Sequence, residues 1–371
     1  MLQERMQNSS EEVHTNGRRG AEYLRSTRPF RSREGKVPYV LILGSGEPAQ
    51  DLVKRCQQLP RKQCRLLGTI SLNGSHGAEP LGDVPLLGTS AALCDYISRN
   101  PVDIVLVSTP LSAALSKELL EPILEIGLTV AVPKGVSVSL DSSILEKTFT
   151  RQEKFLGADT TLLSTVLQSK TYLVAKRIMD LIISATALIV LAPLFLLIAL
   201  AIKLSSPLAP VLYRLNWLGK NSKPIVGYKF RTMIQNADLL KEQMLVFNEM
   251  QGPVFKMHND PRTTRLGRLL RKFSLDELPQ LYSVLKGDLS LVGPRAPLRE
   301  EAEMFEFWQR RKLCVKPGIS CLWQINGRNE IHSFDEWVRL DLQYIETASF
   351  LSDLRILVLT IPAVLSGRGA S

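Results

Sequence analysis

The chain is poor in the patterns that would point to several common protein classes. It has five cysteines in 371 residues, at positions 56, 64, 94, 314 and 321, with no metal-ligand spacing, and an odd number cannot all pair. With no secretory signal peptide in the sequence, they read as reduced thiols of a cytosol-facing protein. Long apolar runs are scarce too: one stretch only could reach across a bilayer, which excludes a polytopic membrane protein. Internal repeats and low-complexity tracts are missing. What remains is ordinary for folded protein, because 45% of the residues are hydrophobic, and wholesale disorder is excluded. Lys and Arg number 46 against 36 Asp and Glu, and the resulting +10 favours an anionic partner such as nucleic acid, lipid headgroups or phosphorylated substrates.

The texture changes along the chain. Residues 1–36 carry Arg18, Arg19, Arg25, Arg28, Arg31 and Arg33 with few large apolar side chains, which predicts a mobile basic arm. Residues 37–155 alternate strand-like and helix-like segments. Strands are expected at Pro38–Leu43, Leu66–Leu72, Ile104–Val107 and Leu128–Val132, with a helix over Asp51–Leu59, as in a Rossmann-type parallel α/β sheet. Residues 156–175 read as a connector with helical character. A second, basic unit follows over 176–371, mainly α-helical, broken by Gly and Pro.

From Leu181 to Ile202 the chain has 22 residues without a charge, about 33 Å as a helix. Cations balance on its two sides, with Lys170, Lys176 and Arg177 before it and Lys203, Arg214 and Lys220 after it. The positive-inside rule therefore gives no orientation. Pro193 sits in the middle, where it removes a helical hydrogen bond and bends the helix. A hairpin-like re-entrant helix over about 178–203 satisfies all three observations, and a straight span stays open at this point. Ile356–Leu365 is a shorter apolar run, too short to cross, and reads as a core helix or an interfacial one.

Two regions suggest chemistry. Gly44-Ser-Gly46-Glu-Pro-Ala49 has the strand–turn–helix context of a dinucleotide fingerprint, but after the second strand, where a ribose-binding acid is wanted, the chain offers Gly68-Thr-Ile-Ser-Leu-Asn73 and no acid until Glu79. The turn reads as a structural or regulatory device. The richer region is 260–281. Leu266, Leu269, Leu270 and Phe273 form an apolar stripe at helical spacing, with Arg265, Arg268, Arg271 and Lys272 projecting elsewhere. Ser274-Leu-Asp276-Glu277 then has capping-box spacing. Either Glu277 bonds back to the Ser274 amide, or two adjacent carboxylates open a helix beside cations that favour their ionised form, as a nucleophile or metal ligand requires. Pro279 suggests that the regular helix starts later. Around the pair, Lys229 and Arg231 flank Phe230, Arg295 follows Gly293-Pro294, and Arg328 ends the run from Lys316. Several such elements near one acidic pair suggest a site for a diphosphate with a divalent cation.

At these residues the sequence resembles the bacterial sugar transferase family, the monotopic phosphoglycosyl transferases that act on polyprenyl phosphate. The likeness covers about 171–371. It rests on Lys176-Arg-Ile-Met-Asp-Leu181, Lys229-Phe-Arg-Thr-Met233, Gly252-Pro-Val-Phe-Lys256, Asp260-Pro-Arg262, Ser274-Leu-Asp-Glu-Leu-Pro-Gln280, Gly293-Pro-Arg295, Pro317-Gly-Ile319 and Asn326-Gly-Arg-Asn329. The resemblance implies that Asp276 attacks the sugar-bearing phosphate of a UDP-sugar. UMP is released, and a polyprenyl phosphate, usually undecaprenyl phosphate, takes the sugar phosphate. It implies Mg²⁺ on Glu277, phosphate contact by Arg271, headgroup or nucleotide contact by Arg295 and Arg328, and Asp341 and Asp353 lining the site. The re-entrant helix would dip into one leaflet at the cytosolic face of the bacterial inner membrane. No nucleic-acid partner is implied; a homo-oligomer and contacts with other polysaccharide-synthesis enzymes are compatible with it.

Three departures from the family pattern stand out. No four transmembrane helices precede the Rossmann-like part, Ala192-Pro193 replaces the usual Ser-Pro, and Pro294-Arg295-Ala296-Pro297 replaces a Pro-Arg-Pro turn. Two other readings were weighed: an inactive membrane-bound scaffold, and an NAD-dependent sugar-nucleotide enzyme, against which the missing ribose acid argues.

Overall fold

Seven strands form one sheet: β1 (Tyr39–Leu43), β2 (Arg65–Ser71), β3 (Leu86–Thr89), β4 (Ile104–Val107), β5 (Thr129–Pro133), β6 (Phe149–Phe155) and β7 (Ala158–Ser164). Their order is β3-β2-β1-β4-β5-β7-β6 in the computed structural model, which describes residues 37–59, 64–72, 83–166, 168–326, 331 and 333–365. The basic segment 1–36 lies outside the described residues. Strands β1 to β5 pair in parallel, in the order of a doubly wound sheet.

Period-two alternation sends β1 into two cores. Val40 and Ile42 pack with Ala49, Leu52 and Val53 of helix α1 (Gly46–Gln58). Leu41 and Leu43 face Leu93 and Ile97 of α2 (Leu93–Arg99) and Leu119, Leu120 and Ile123 of α3 (Ala113–Glu125). Burial on both faces is why these strands read as continuous apolar runs. Helix α1 begins five residues before the expected Asp51, because Pro48 falls in its first turn, where a missing N–H costs nothing. Gly44 has φ +140° and lies against the Ser108 hydroxyl, where a Cβ would have no room.

The sheet does not end near 155. The segment read as a helical connector instead holds β7, which pairs antiparallel with both β5 and β6. Leu156 and Gly157, both at positive φ, make the tight turn between β6 and β7. Strand β6, Thr-Arg-Gln-Glu-Lys between two Phe, is a largely exposed polar edge strand, so it carried no apolar signal.

Helix α4 (Lys170–Val190) starts where Ser169 Oγ accepts from the Tyr172 amide at 3.1 Å. It breaks at Leu191, and α5 (Ala192–Ser205) continues at 59° to it. Pro193 has no N–H to give the Ile189 carbonyl, which ends the first ladder. The bend expected from the sequence is present, as a change of direction and not a tight hairpin. No single helix among the described residues is long and apolar enough to cross a membrane, whereas the bent pair together is, by length and composition.

A hairpin of β8 (Leu212–Leu218) and β9 (Pro224–Phe230) follows, joined to the large sheet through Asp103. That carboxylate takes Lys223 Nζ at 2.6 Å, Asn221 Nδ2 at 2.8 Å and the Tyr39 amide at 2.7 Å. Helix α6 (Arg265–Lys272) is capped by Thr264, whose hydroxyl accepts from the Gly267 amide. Leu266 and Leu270 of its apolar stripe pack on Ile198 and Ile202 of α5, while Leu269 faces outward. Helix α7 (Gln280–Lys286) runs to Gly287, left-handed at its C-terminal end. Strands β10 (Ser290–Val292) and β11 (Gly318–Ser320) pair in parallel. Two last helices, α8 (Phe334–Thr347) and α9 (Phe350–Leu365), close the chain. In α9, Ile356 enters the core as expected of a core helix, while Val358 and Ile361 of the same run are exposed.

Candidate functional site

Asp276 and Glu277 do not open an α-helix through a capping box. Ser274 sits in the left-handed region at φ 51°, and Leu275–Glu277 form a single 3₁₀ turn with no side-chain cap. Pro279 then precedes α7, as its position suggested. The turn follows directly on α6, so the basic last turn of that helix and the two carboxylates are neighbours.

Asp276 is 7% exposed. Burial pushes its carboxyl above the ordinary carboxylate range; Lys229 pulls against this, Glu277 adds to it and Arg271 opposes it. The surrounding cations were expected to favour the ionised form, but burial outweighs them, and no helix dipole acts in a one-turn element. Glu277 Oε1 receives Lys229 Nζ at 2.6 Å. Lys229 is in position because it ends the well-paired strand β9. Arg271 lies within electrostatic reach of Asp276, Asp260 and Glu277, and its Nε donates to Thr232 Oγ1 at 3.1 Å. Gly267 makes that approach close: a Cβ there would stand 2.0 Å from the Thr232 carbonyl oxygen.

Arg295 reaches the same group by a different route. β10 and β11 cross so closely that a Cβ on Gly318 would stand 2.1 Å from the Gly293 amide nitrogen. That contact, with the Gly318 amide donating to the Pro294 carbonyl at 2.9 Å, fixes the turn presenting Arg295. Its guanidinium donates to Glu301 at 3.1 Å, lies 5.7 Å from the Trp337 ring centre and feels the Glu277 charge. With Ala296 in the turn, Arg295 is held by Glu301 and lies within electrostatic reach of Glu277.

Other sequence-derived candidates are placed elsewhere. Arg231 donates to the Pro210 carbonyl at 2.9 Å and covers the Tyr213 ring, so it is turned away from Asp276. Asp341 is buried against Lys312 at 2.7 Å, both 1% exposed, behind the Arg295 backbone; burial, against the pull of Lys312, raises its pKa. Asp353 is wholly buried and takes Lys176 at 2.6 Å, Tyr344 at 2.8 Å and Tyr172 at 3.0 Å, which ties α9 to α4. These two are supports of the fold. Arg328 lies outside the described residues.

The sequence reading gave no site role to Asp260 and Arg262, a buried bidentate pair at 2.6 and 2.9 Å beside Arg271. Its signal was the Asp-Pro-Arg motif. Thr232 and Glu301 were also missed; nothing about a lone Thr or a surface-like Glu marks it in sequence.

The family model described as bacterial sugar transferase matches residues 171–367. The chain is 37% identical over 280 residues to the galactosyl transferase CpsE of Streptococcus agalactiae, covering 75% of this chain and 61% of that protein. It is 39% identical over 201 residues to the exopolysaccharide production protein ExoY of Sinorhizobium fredii, 53% of this chain and 88% of that one. A UDP-N-acetylgalactosamine-undecaprenyl-phosphate N-acetylgalactosaminephosphotransferase of Aeromonas hydrophila is 36% identical over 214 residues, 56% of this chain and 48% of that protein.

Proposed function

The chain belongs to the bacterial sugar transferase family, and from that premise we propose that it moves a sugar 1-phosphate from a UDP-sugar to undecaprenyl phosphate. The observation that carries the reading is a buried Asp276 with Glu277, Lys229 and Arg271 beside it, and Arg295 within electrostatic reach of Glu277. In the first step an Asp276 carboxylate oxygen attacks the phosphorus bearing the sugar. The new O–P bond forms as the P–O bond to UMP breaks, and UMP leaves with the electron pair. In the second step a phosphate oxygen of the polyprenyl acceptor attacks the same phosphorus, and Asp276 departs as carboxylate. Arg271 and Lys229 stand where charge builds on the phosphoryl oxygens. Low local polarity makes the nucleophile reactive once it is ionised.

The donor set fits Mg²⁺. Burial, with the neighbouring Glu277, holds Asp276 back from ionising despite Lys229 and Arg271, and among the described residues no three acidic, His or Cys groups could hold a metal without ligands from elsewhere. An ion sharing Glu277 with substrate phosphates and waters matches that set. Bound there, it would supply charge neutralisation for the diphosphate.

The exposed apolar faces of α4 and α5, with Ile189 and Leu196 more than 70% exposed, and of α9 suit one leaflet of a membrane. Balanced cations at both ends of the bent pair support a re-entrant placement at the cytosolic face. The seven-stranded sheet reads as a Rossmann-like unit with a structural or regulatory task. The test of the mechanism is to incubate the protein with a UDP-sugar but no acceptor. The account expects a phosphosugar adduct, by peptide mass spectrometry, on the peptide containing Asp276; UMP formation without any adduct would remove the covalent step.

A further inference from the structure

The hairpin made by α7 and β10 has the acidic pair at its open end. At its closed end, away from Asp276 by the length of α7, about 10 Å, lies a small cavity with charged groups in its walls. Its volume is about 60 Å³, room for more than a single water. Lys176, Arg177, Asp180, Ser290, Lys316 and Tyr344 line it.

Most of these groups are already answered. Lys176 is paired with Asp353. Arg177 donates to the Val284 and Leu285 carbonyls at 2.7 and 2.8 Å, capping the end of α7. Asp180 accepts from the Ser290 hydroxyl and the Leu291 amide. Lys316 differs. Among the described residues no hydrogen bond or ion pair reaches its ammonium, although it is half-buried beside Arg177. Burial pushes it below the usual lysine range and Arg177 adds to this, while Asp180 and Asp288 only partly offset it from beyond direct contact. The cavity lining holds three cations, Lys176, Arg177 and Lys316, against the one carboxylate of Asp180, so a half-buried cation with no direct ion pair is left in a site of surplus positive charge.

The cavity's position says where that anion comes from. Leu173, Lys176, Arg177 and Asp180 recur at helical spacing on one face of α4, and the adjoining face carries exposed Val174, Ile178, Leu181 and Ile182. A lipid lying along the apolar face would bring its headgroup to this cavity. We infer that the cavity is a second anion site, separate from the acidic pair, in which Lys316 pairs with the phosphoryl group of an anionic lipid headgroup. Free phosphate offers the same chemistry. The lipid source, but not the anion site itself, rests on the membrane placement proposed above.

Acylation of lysine amines, followed peptide by peptide, tests this on the full chain in nanodiscs. With phosphatidylglycerol present, Lys316 should react about fivefold more slowly than in phosphatidylcholine alone, while exposed Lys286 changes by less than about twofold. The same protection by inorganic phosphate in detergent, without protection by phosphatidylglycerol, keeps the anion site but overturns the lipid as its source. Equal slowing at both lysines, or none at either, overturns the proposal. Lys316→Gln should abolish the preference for phosphatidylglycerol vesicles in sedimentation, and an unchanged preference contradicts the inference. UMP release retained in that variant separates this site from the transferase reaction, so either reading can fail without the other.

Discussion

Asp276 is asked to be buried and to be an anion, and the two demands conflict. A carboxyl whose pKa is raised on folding contributes stability that is whole below about pH 4 and lost as pH rises through the raised value. Asp276→Asn should therefore abolish turnover and at the same time raise the unfolding midpoint at pH 7.5 by about 2 °C or more, with the gain vanishing near pH 4. Thermal unfolding of both proteins at the two pH values checks this. Activity of the wild type should fall on acidification at a pH above the ordinary aspartate range. The two cations of the Lys-Phe-Arg motif divide in the same way. Lys229→Ala should lower kcat/KM by about 100-fold, whereas Arg231→Ala, whose side chain binds the Pro210 carbonyl and covers Tyr213, should change it by less than about threefold. At this scale the sequence marked the acidic pair, Lys229, Arg271 and Arg295, because charged residues next to turns and motif glycines are visible in one dimension. It could not separate Lys229 from Arg231, since β9 ends between them and the chain turns. Nor could it tell Asp341 and Asp353, buried ion-pair partners, from ligands of a substrate.

The bent helix is the element on which membrane placement depends. Pro193 lies in the first turn of α5, and the ladder of α4 stops two residues before it. Replacing Pro193 by Leu should restore the missing donor and let one helix run from Lys170 to Ser205, about 54 Å. A Cys placed at Lys203 should then change from reactive to unreactive toward a membrane-impermeant maleimide applied at the cytosolic side. Continued reactivity would show that the proline does not set the path. This bend was legible because proline chemistry is local. The capping-box spacing at Ser274 is local too, but the left-handed Ser274 and the 3₁₀ turn go with the packing of that turn on α6 and on the distant strand β9.

At the scale of the whole molecule, the large sheet and the acidic site are joined through Asp103. It sits at the start of β4 and holds Lys223 and Asn221, from which β9 runs directly to Lys229. Asp103→Ala should cost about 2 kcal/mol in denaturant unfolding, because it removes the ion pair to a partly buried lysine and takes that acceptor from the Tyr39 amide. Four of the five parallel strands could be read from the sequence as buried apolar runs, whereas the short, half-buried edge strand β3 was not expected. The β6–β7 hairpin could not be read, because β6 is polar and exposed and the few apolar side chains that anchor the pair, such as Leu162 and Leu163, are fixed by pairing of β7 with the distant β5. The long-range junction had no sequence signal at all.

The account's central claim is sugar-phosphate transfer from a UDP-sugar. It is tested most directly by UMP release across a panel of UDP-sugars, with undecaprenyl phosphate and Mg²⁺ in nanodiscs. Release with at least one sugar, dependent on Mg²⁺ and absent from Asp276→Asn, is the predicted result. Release that persists undiminished in Asp276→Asn, or no release with any sugar from folded protein, would contradict it.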